Sequence, residues 1–322
     1  MSPPRCFGDR WEVIEPIDEG GQSYIYKVRD RKGEYTGQFV LKRLKNYKRL
    51  DRFEREIKSV QQLHHPGIAP VLDYSFKEPA FFVTKFYAGG PLTDRAPLQL
   101  LSALDLFIQL CDTITYAHER GVIHRDLKPD NIVLDEVGFP VIIDFGLCYL
   151  EDDDKRPTAT MEQVGSRFYM APELEGGRID NVTNKADSYA LGKILYFLIS
   201  GKHIPREGFR GENDLVRLCN DDQLGYISDR LFAHAIVENP EGRKSVAELG
   251  KEARNVKQLI TEHYYPGMEG SLCRFCGEGH YGKMTRSIIR IREPEIGLEH
   301  SVTFKTLVCS KCGNVEWFRL KD

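Results

Sequence analysis

No apolar run in this 322-residue chain approaches the roughly 20 residues that a membrane-spanning helix needs; the longest, Ala190 to Ile199, is interrupted by Lys193. Met1 to Arg10 hold no apolar stretch, so no secretory leader is expected. No charge of one sign dominates. With 45 Lys plus Arg against 48 Asp plus Glu the net charge is -3, which excludes a chain built chiefly to grip nucleic acid. Internal repeats and low-complexity tracts are also lacking. What is present is ordinary: 41% hydrophobic residues can bury a core, which excludes disorder as the main state, and 29% charged residues suits a soluble surface.

The 8 cysteines fall into two groups. Cys6, Cys111, Cys148 and Cys219 are scattered, and Cys111 and Cys219 are expected in or near the core. Cys273 with Cys276 and Cys309 with Cys312 are paired, which suggests a metal rather than disulfides. A reducing, cytoplasmic setting follows as an expectation.

Residues 11–86 read as strands with one helix. Trp11–Ile17, Tyr24–Arg29, Gln38–Leu44 and Ala80–Phe86 cluster β-branched and aromatic residues between turns. Phe53, Ile57, Val60 and Leu63 follow helical spacing over Leu50–Leu63, and His65-Pro66-Gly67 ends that helix. Beyond Gly89-Gly90-Pro91 helices dominate: Leu98–His118, Lys185–Ser200 and Ser245–Ile260. Val122–Ile123, Ile132–Leu134 and Val141–Ile143 read as short strands. Ser287–Arg292, Val302–Val308 and Glu316–Leu320 are strand-like stretches in the tail.

The middle of the chain carries His124-Arg125-Asp126-Leu127-Lys128-Pro129-Asp130-Asn131, then Asp144-Phe145-Gly146, then Ala171-Pro172-Glu173. This ordered set resembles the eukaryotic-type protein kinase family, in its Ser/Thr branch, over about residues 8 to 255. The resemblance implies an α+β, bilobal fold with a β-rich N-lobe and an α-rich C-lobe. It also implies transfer of the γ-phosphoryl group of ATP to a protein hydroxyl, with Mg²⁺. Such chemistry asks mainly for positioning and for neutralised phosphate charge. Asn131 and Asp144 match the Mg²⁺ ligands, and Mg²⁺ prefers oxygen donors on fixed elements. Asp126 matches the residue that orients the attacking hydroxyl. Lys128 matches the cation beside the transferring group. Lys42 matches the lysine on the α- and β-phosphates, with Glu56 as its partner and Glu54 read as an exposed helix charge.

The glycine-rich loop departs from the family. Ile17-Asp18-Glu19-Gly20-Gly21-Gln22-Ser23-Tyr24-Ile25 puts Asp18 and Ser23 where glycines are usual, while Gly20 keeps the middle position and Gly21 adds freedom. Backbone N–H groups there can still cradle phosphate, but a carboxylate at Asp18 points to weaker nucleotide affinity. By register Thr84 falls at the gatekeeper position, Lys85-Phe86-Tyr87 form the hinge, and Ile25, Val40 and Val133 sandwich the adenine. Arg125 matches an arginine that receives a phosphorylated loop residue; Thr158, Thr160 and Ser166 are the available hydroxyls, with Thr160 the favoured phosphosite and Ser166 structural. Glu173 with Arg243, and Asp187, match structural braces.

Cys273-x-x-Cys276 and Cys309-x-x-Cys312, each followed by a glycine, can close a tetrahedral Zn²⁺ site, and the segment resembles a zinc ribbon. A closed four-thiolate site is structural. The expected organisation is therefore an N-terminal extension at 1–8, a kinase domain at 9–258, a linker at 259–270 and a ribbon at 271–322. The ribbon is expected to dock a protein or nucleic-acid partner, the kinase domain takes a protein substrate, and no membrane is involved. The competing reading is a pseudokinase scaffold or nucleotide-sensing interaction protein. Only Asp18 and Ser23 support it; Lys42, Asp126, Asn131 and Asp144 oppose it.

Overall fold

Alternating apolar residues in the first third of the chain build a six-stranded antiparallel sheet, and the helical spacing that follows builds a lobe around one buried helix. The structure, a computed structural model, describes residues 6–19, 23–145, 168–175, 182–219, 221, 223–263, 285–293, 298–308 and 315–319; it does not describe the side chain of residue 52 or those beyond residue 261. Two compact units are formed, residues 1–257 and 258–322.

In the first unit the strands are β1 (Cys6–Phe7), β2 (Trp11–Glu19), β3 (Ser23–Asp30), β4 (Phe39–Leu44), β5 (Asp73–Ser75) and β6 (Phe81–Lys85). They run in the order β1-β2-β3-β4-β6-β5. Register divides their residues. Ile25 pairs with Lys42, Lys27 with Val40, and Val40 with Thr84, so these share one face. The other face carries Phe7, Tyr26, Val28, Leu41, Phe81 and Val83 in one apolar cluster. Strand β1 lies in the stretch read as an extension; Phe7 pairs with Trp11 and is buried. Helix α1 (Leu50–Gln61) packs Phe53 and Ile57 against Leu44 and Phe82.

Helix α2 (Leu100–His118) buries Leu104, Phe107, Leu110, Cys111 and Ile114. Among the described residues it, rather than Ala190–Ile199, is the helix long and apolar enough by composition to cross a membrane. Its burial inside the lobe accounts for that composition. Helix α3 (Lys185–Ser200) is buried from Ala186 to Ile199 and ends at Gly201, whose φ of 68° favours glycine and whose N–H bonds Phe197 O at 2.8 Å. Lys193, an interruption in the sequence pattern, is buried too. Its Nζ donates to the carbonyls of Ile204 (2.6 Å) and Arg206 (2.7 Å), and burial pushes its pKa down to about 7.

Helix α4 (Val246–His263) follows. Strands β7 (Ile132–Leu134) and β8 (Pro140–Ile142) form a hairpin directly after the loop at residues 124–128. Two expectations are corrected here. Val122–Ile123 is no strand, because Val122 N–H turns back to Ala117 O (3.0 Å) after Gly121 at φ 75°, capping α2. Cys219 is exposed, whereas Cys111 is buried as expected.

The second unit holds a three-stranded antiparallel sheet, β9 (Thr285–Glu293), β10 (Leu298–Val308) and β11 (Val315–Arg319), with β10 in the centre. Cys273, Cys276, Cys309 and Cys312 lie outside the described residues, as do Gly20, Gly21, Thr158, Thr160 and Ser166.

Candidate active site

One buried carboxylate organises the loop at residues 124–128. Asp187, in the first turn of α3, accepts the backbone N–H of His124 (2.9 Å) on Oδ2 and that of Arg125 (2.8 Å) on Oδ1, and its Oδ2 also meets His118 Nε2 at 2.7 Å. These partners hold its pKa below the ordinary carboxylate range against the opposing effect of burial. The loop needs such a clamp. Arg125 sits at φ 67°, a conformation that L side chains rarely adopt, and the residue after it is Asp126. Buried His124 is kept neutral by desolvation, takes the Asp126 N–H on Nδ1 (3.3 Å), and packs its ring 4.9 Å from that of Phe145.

Asn131 joins the two motif blocks. Its Nδ2 donates to Asp126 O (2.9 Å) and Asp126 Oδ2 (3.2 Å), and its own carbonyl accepts the N–H of Ile143 (3.0 Å), the residue before Asp144. With the amide nitrogen turned to Asp126, the amide oxygen of Asn131 is left for a cation. Asp144 supplies a second oxygen donor. An all-oxygen set on fixed backbone fits Mg²⁺. Lys128 Nζ stands 3.7 Å from Asp126 Oδ2.

Lys42 reaches this cluster from β4, on the face it shares with Ile25 and Val40. Its Nζ lies 2.7 Å from Asp144 Oδ2 and 3.7 Å from Glu56 Oε1 of α1. The expected Lys42–Glu56 pair is therefore present, but the shorter contact is to Asp144. One ammonium cannot offset two part-buried carboxylates, 14% and 29% exposed. Desolvation, with the charge of Asp144 next door, pushes the Glu56 carboxyl up, and it hydrogen-bonds Asp144; Lys42 keeps Asp144 ionised with a lowered pKa. Glu56→Gln should thus leave the melting temperature of the free protein near that of the wild type, since an amide makes the same neutral bond. The phosphorylation rate should fall by about 10- to 100-fold, the worth of one charge-assisted hydrogen bond to Lys42. Calorimetry and label transfer from ATP on the same samples check both halves.

Ile17, Ile25, Val40 and Val133 are all partly exposed, as residues facing a cleft must be. Thr84 is buried at the end of β6, its Oγ1 without a partner, beside a small cavity lined by Glu56, Val60, Phe82 and Phe145. Ser23 is buried at the start of β3. The exposed Lys85 side chain turns to Glu136 (3.3 Å), and burial pushes the Tyr87 phenol up to about 12. Asp18, the departure from the family loop, spends one carboxylate oxygen on the N–H of Glu19 (2.7 Å).

Sequence reasoning missed one group. His203, after α3, stacks on Phe168 (5.2 Å) and on Phe197 (5.0 Å), and its Nδ1 meets Tyr169 Oη at 3.0 Å. A lone histidine in a loop gives no signal, and only the fold brings it to Tyr169, two residues before Ala171-Pro172-Glu173. Glu173 itself forms a two-pronged pair with Arg243 at 2.7 and 2.8 Å.

Comparison with known proteins agrees with this geometry. The protein kinase domain model matches residues 11–260. The chain is 33% identical over 213 residues to the DNA damage-responsive serine/threonine-protein kinase RqkA of Deinococcus radiodurans, covering 62% of this chain and 31% of that one. It is 27% identical over 271 residues to the serine/threonine-protein kinase PknB of Mycobacterium tuberculosis, covering 77% and 42% respectively. It thus spans less than half the length of these relatives. The fold matches the crystal structure of a cysteine-to-alanine mutant of the Mycobacterium tuberculosis PknI kinase domain with a TM-score of 0.60 at 23% identity, over 80% of this chain and 99% of that one. A domain match over most of the chain, on a bilobal fold whose catalytic loop is assembled as the motif requires, leaves one conclusion: the chain belongs to the protein kinase family.

Proposed function

We propose that this chain is an ATP- and Mg²⁺-dependent Ser/Thr protein kinase whose tail is a structural zinc ribbon serving as a docking or regulatory module. One observation carries the catalytic half: the Asn131 side chain bonds Asp126 while its backbone bonds Ile143, so hydroxyl-orienting and cation-binding groups share one frame. The names of the relatives favour Ser and Thr as acceptors, and so does Lys128 after Asp126-Leu127.

Bound Mg²⁺ would neutralise the phosphate oxygens and hold the terminal group of ATP in place. Asn131 and Asp144 would hold it. Asp126 would accept the hydrogen bond of the incoming hydroxyl, aim its oxygen, and take the proton as the new P–O bond forms and the bond from the γ-phosphorus to the bridging oxygen breaks, releasing ADP. Lys128 would offset charge growing on the transferred group. Lys42 would pass from Asp144 to the α- and β-phosphates, and Glu56, neutral in the free protein, would lose its proton to solvent and become the counter-charge of Lys42. Ile17, Gly20, Gly21, Ser23 and Ile25 from above, with Val40, Thr84, Lys85, Tyr87 and Val133, would enclose the nucleotide. Incubating the purified chain with labelled ATP, Mg²⁺ and a protein acceptor tests the reading. Label on serine or threonine is expected, and its lack with every acceptor tried would end it.

For the tail, the support is two Cys-x-x-Cys pairs with a turn glycine after each, flanking strands β9 and β10. Metal analysis of the freshly purified chain should give one zinc per molecule. Cys309→Ser with Cys312→Ser should remove it.

A further inference from the structure

An ammonium sits inside the apolar lobe, and the turn that solvates it reaches back to the segment carrying Glu173. Lys193 is 2% exposed in the middle of α3. A buried cation is costly even when hydrogen-bonded, and burial pushes its pKa down to about 7. An apolar side chain of similar volume would avoid that cost. Both partners of the ammonium lie in one turn. Its Nζ donates to Ile204 O (2.6 Å) and to Arg206 O (2.7 Å), with the Tyr189 ring 5.6 Å away. The two carbonyls bracket Pro205 and pin a backbone in which Arg206 sits at φ 30°, a value that L side chains rarely adopt.

Side chains of that turn grip residues 168–175 at both ends. His203 stacks on Phe168 and on Phe197, with interplanar angles of 12° and 4°, and its Nδ1 meets Tyr169 Oη at 3.0 Å. Arg206 donates to Glu175 (2.6 Å) with one nitrogen and to Glu238 (2.9 Å) with another. Glu207 accepts the backbone N–H of Glu238. Exposed ion pairs contribute little when their side chains must be ordered for them; a backbone fixed beneath Arg206 lets its two nitrogens meet both carboxylates at once. The gripped segment lies beside the site. The charge of Asp130, the neighbour of Asn131, acts on both Tyr169 and His203. An acceptor chain that brings its hydroxyl to Asp126 therefore passes close to residues 168–175.

We propose that Lys193 is a positioning residue for the protein acceptor: through the turn at residues 203–206 it fixes residues 168–175 beside the site. The proposal rests on the kinase reading above and adds a buried residue, far in sequence from the segment, that sets how firmly the acceptor is held.

Hydrogen–deuterium exchange of the full chain, read by mass spectrometry, tests the anchoring without any acceptor. Lys193→Met keeps the bulk of the stem and removes the ammonium. Arg206→Gln removes both surface pairs from a side chain that is 53% exposed, so it keeps the proposal open to refutation if Lys193→Met does not fold. Each should speed exchange over residues 168–175 by roughly 2- to 30-fold, the range of coupling carried by a packed network, and leave Leu100–His118 as in the wild type. The double variant should exchange no faster than Lys193→Met alone, because Arg206 acts from the turn that Lys193 holds; independent effects would multiply. Label transfer from ATP to dephosphorylated β-casein gives the functional half. The KM for casein should rise by roughly the same factor in each variant, with kcat and the KM for ATP unchanged. Exchange over residues 168–175 that matches the wild type overturns the proposal. So does faster exchange spread evenly over the lobe, which is what a lysine that only stabilises the core would give, and so does an unchanged casein KM in a variant whose segment exchanges faster. No transfer to casein by the wild type counts against the kinase reading instead, while exchange still decides the anchoring.

Discussion

Replacing Asp126 by Asn is expected to lower kcat for phosphoryl transfer by about 10²- to 10⁴-fold, the usual contribution of a positioned general base. The substitution keeps size and leaves an oxygen for Asn131 Nδ2, which now reaches Asp126 Oδ2 at 3.2 Å. The loop clamp at Asp187 is untouched, because it acts on the backbone of His124 and Arg125. Folding stability should therefore change little. What is lost is the negative charge and basicity of a side chain only 13% exposed, whose neighbour is Lys128 Nζ at 3.7 Å. The KM for ATP should stay near the wild-type value, since the phosphates are assigned to Lys42, Asn131 and Asp144. A loss confined to kcat is the signature of an interaction made in the transition state. Steady-state label transfer over a range of ATP concentrations separates the two parameters. If Asp126 merely braces Asn131, the variant will melt early and KM will move with kcat; equal rates would end the catalytic assignment.

The proposed site residues stand out in the sequence because phosphoryl transfer restricts each to one or two side-chain types at set spacings. The helices were legible where apolar residues fill several consecutive turns: Lys185–Ser200 is read from the sequence with the same limits as α3. Other features depend on distances that no pattern encodes. Two carboxylates and one ammonium share a site, and only the geometry shows that Lys42 lies closer to Asp144 than to Glu56. Strand β1 is two residues long, too short for a period, yet Phe7 fills the apolar face of the sheet. The apolar pair Val122–Ile123 looked like a strand because apolarity alone does not distinguish a strand from a helix cap. Lys193 broke an apolar run on paper, but its long stem lets the ammonium reach two carbonyls from inside the core.

Removing Arg243 should be the most damaging single change to stability. Its guanidinium is fully buried and donates to both oxygens of Glu173 (2.7 and 2.8 Å), to Val237 O (2.6 Å), to Glu238 O (2.8 Å) and to Lys185 O (3.2 Å). It also lies over the Tyr189 ring, 4.9 Å from the centroid. Arg243→Ala leaves a carboxylate only 18% exposed without its partner and strands three carbonyls. Breaking a buried pair from one side costs about 3–5 kcal/mol, mostly the cost of the abandoned charge. For a domain of this size that corresponds to a fall of roughly 6–20 °C in melting temperature. Glu173→Gln should cost less, because an amide oxygen still accepts one of the two bonds. The informative variant is Glu173→Met with Arg243→Met. With both charges gone no carboxylate is left unpaired, so the pair should recover part of the stability lost in Arg243→Ala. Thermal unfolding of the four proteins decides the matter. A double variant no more stable than Arg243→Ala would mean that the carbonyl bonds, not the ion pair, brace the lobe. Because Glu173 closes the Ala171-Pro172-Glu173 segment, the double variant should also raise the KM for a protein substrate more than it lowers stability: a repacked apolar pair holds the segment's place but not the angle that two parallel hydrogen bonds impose.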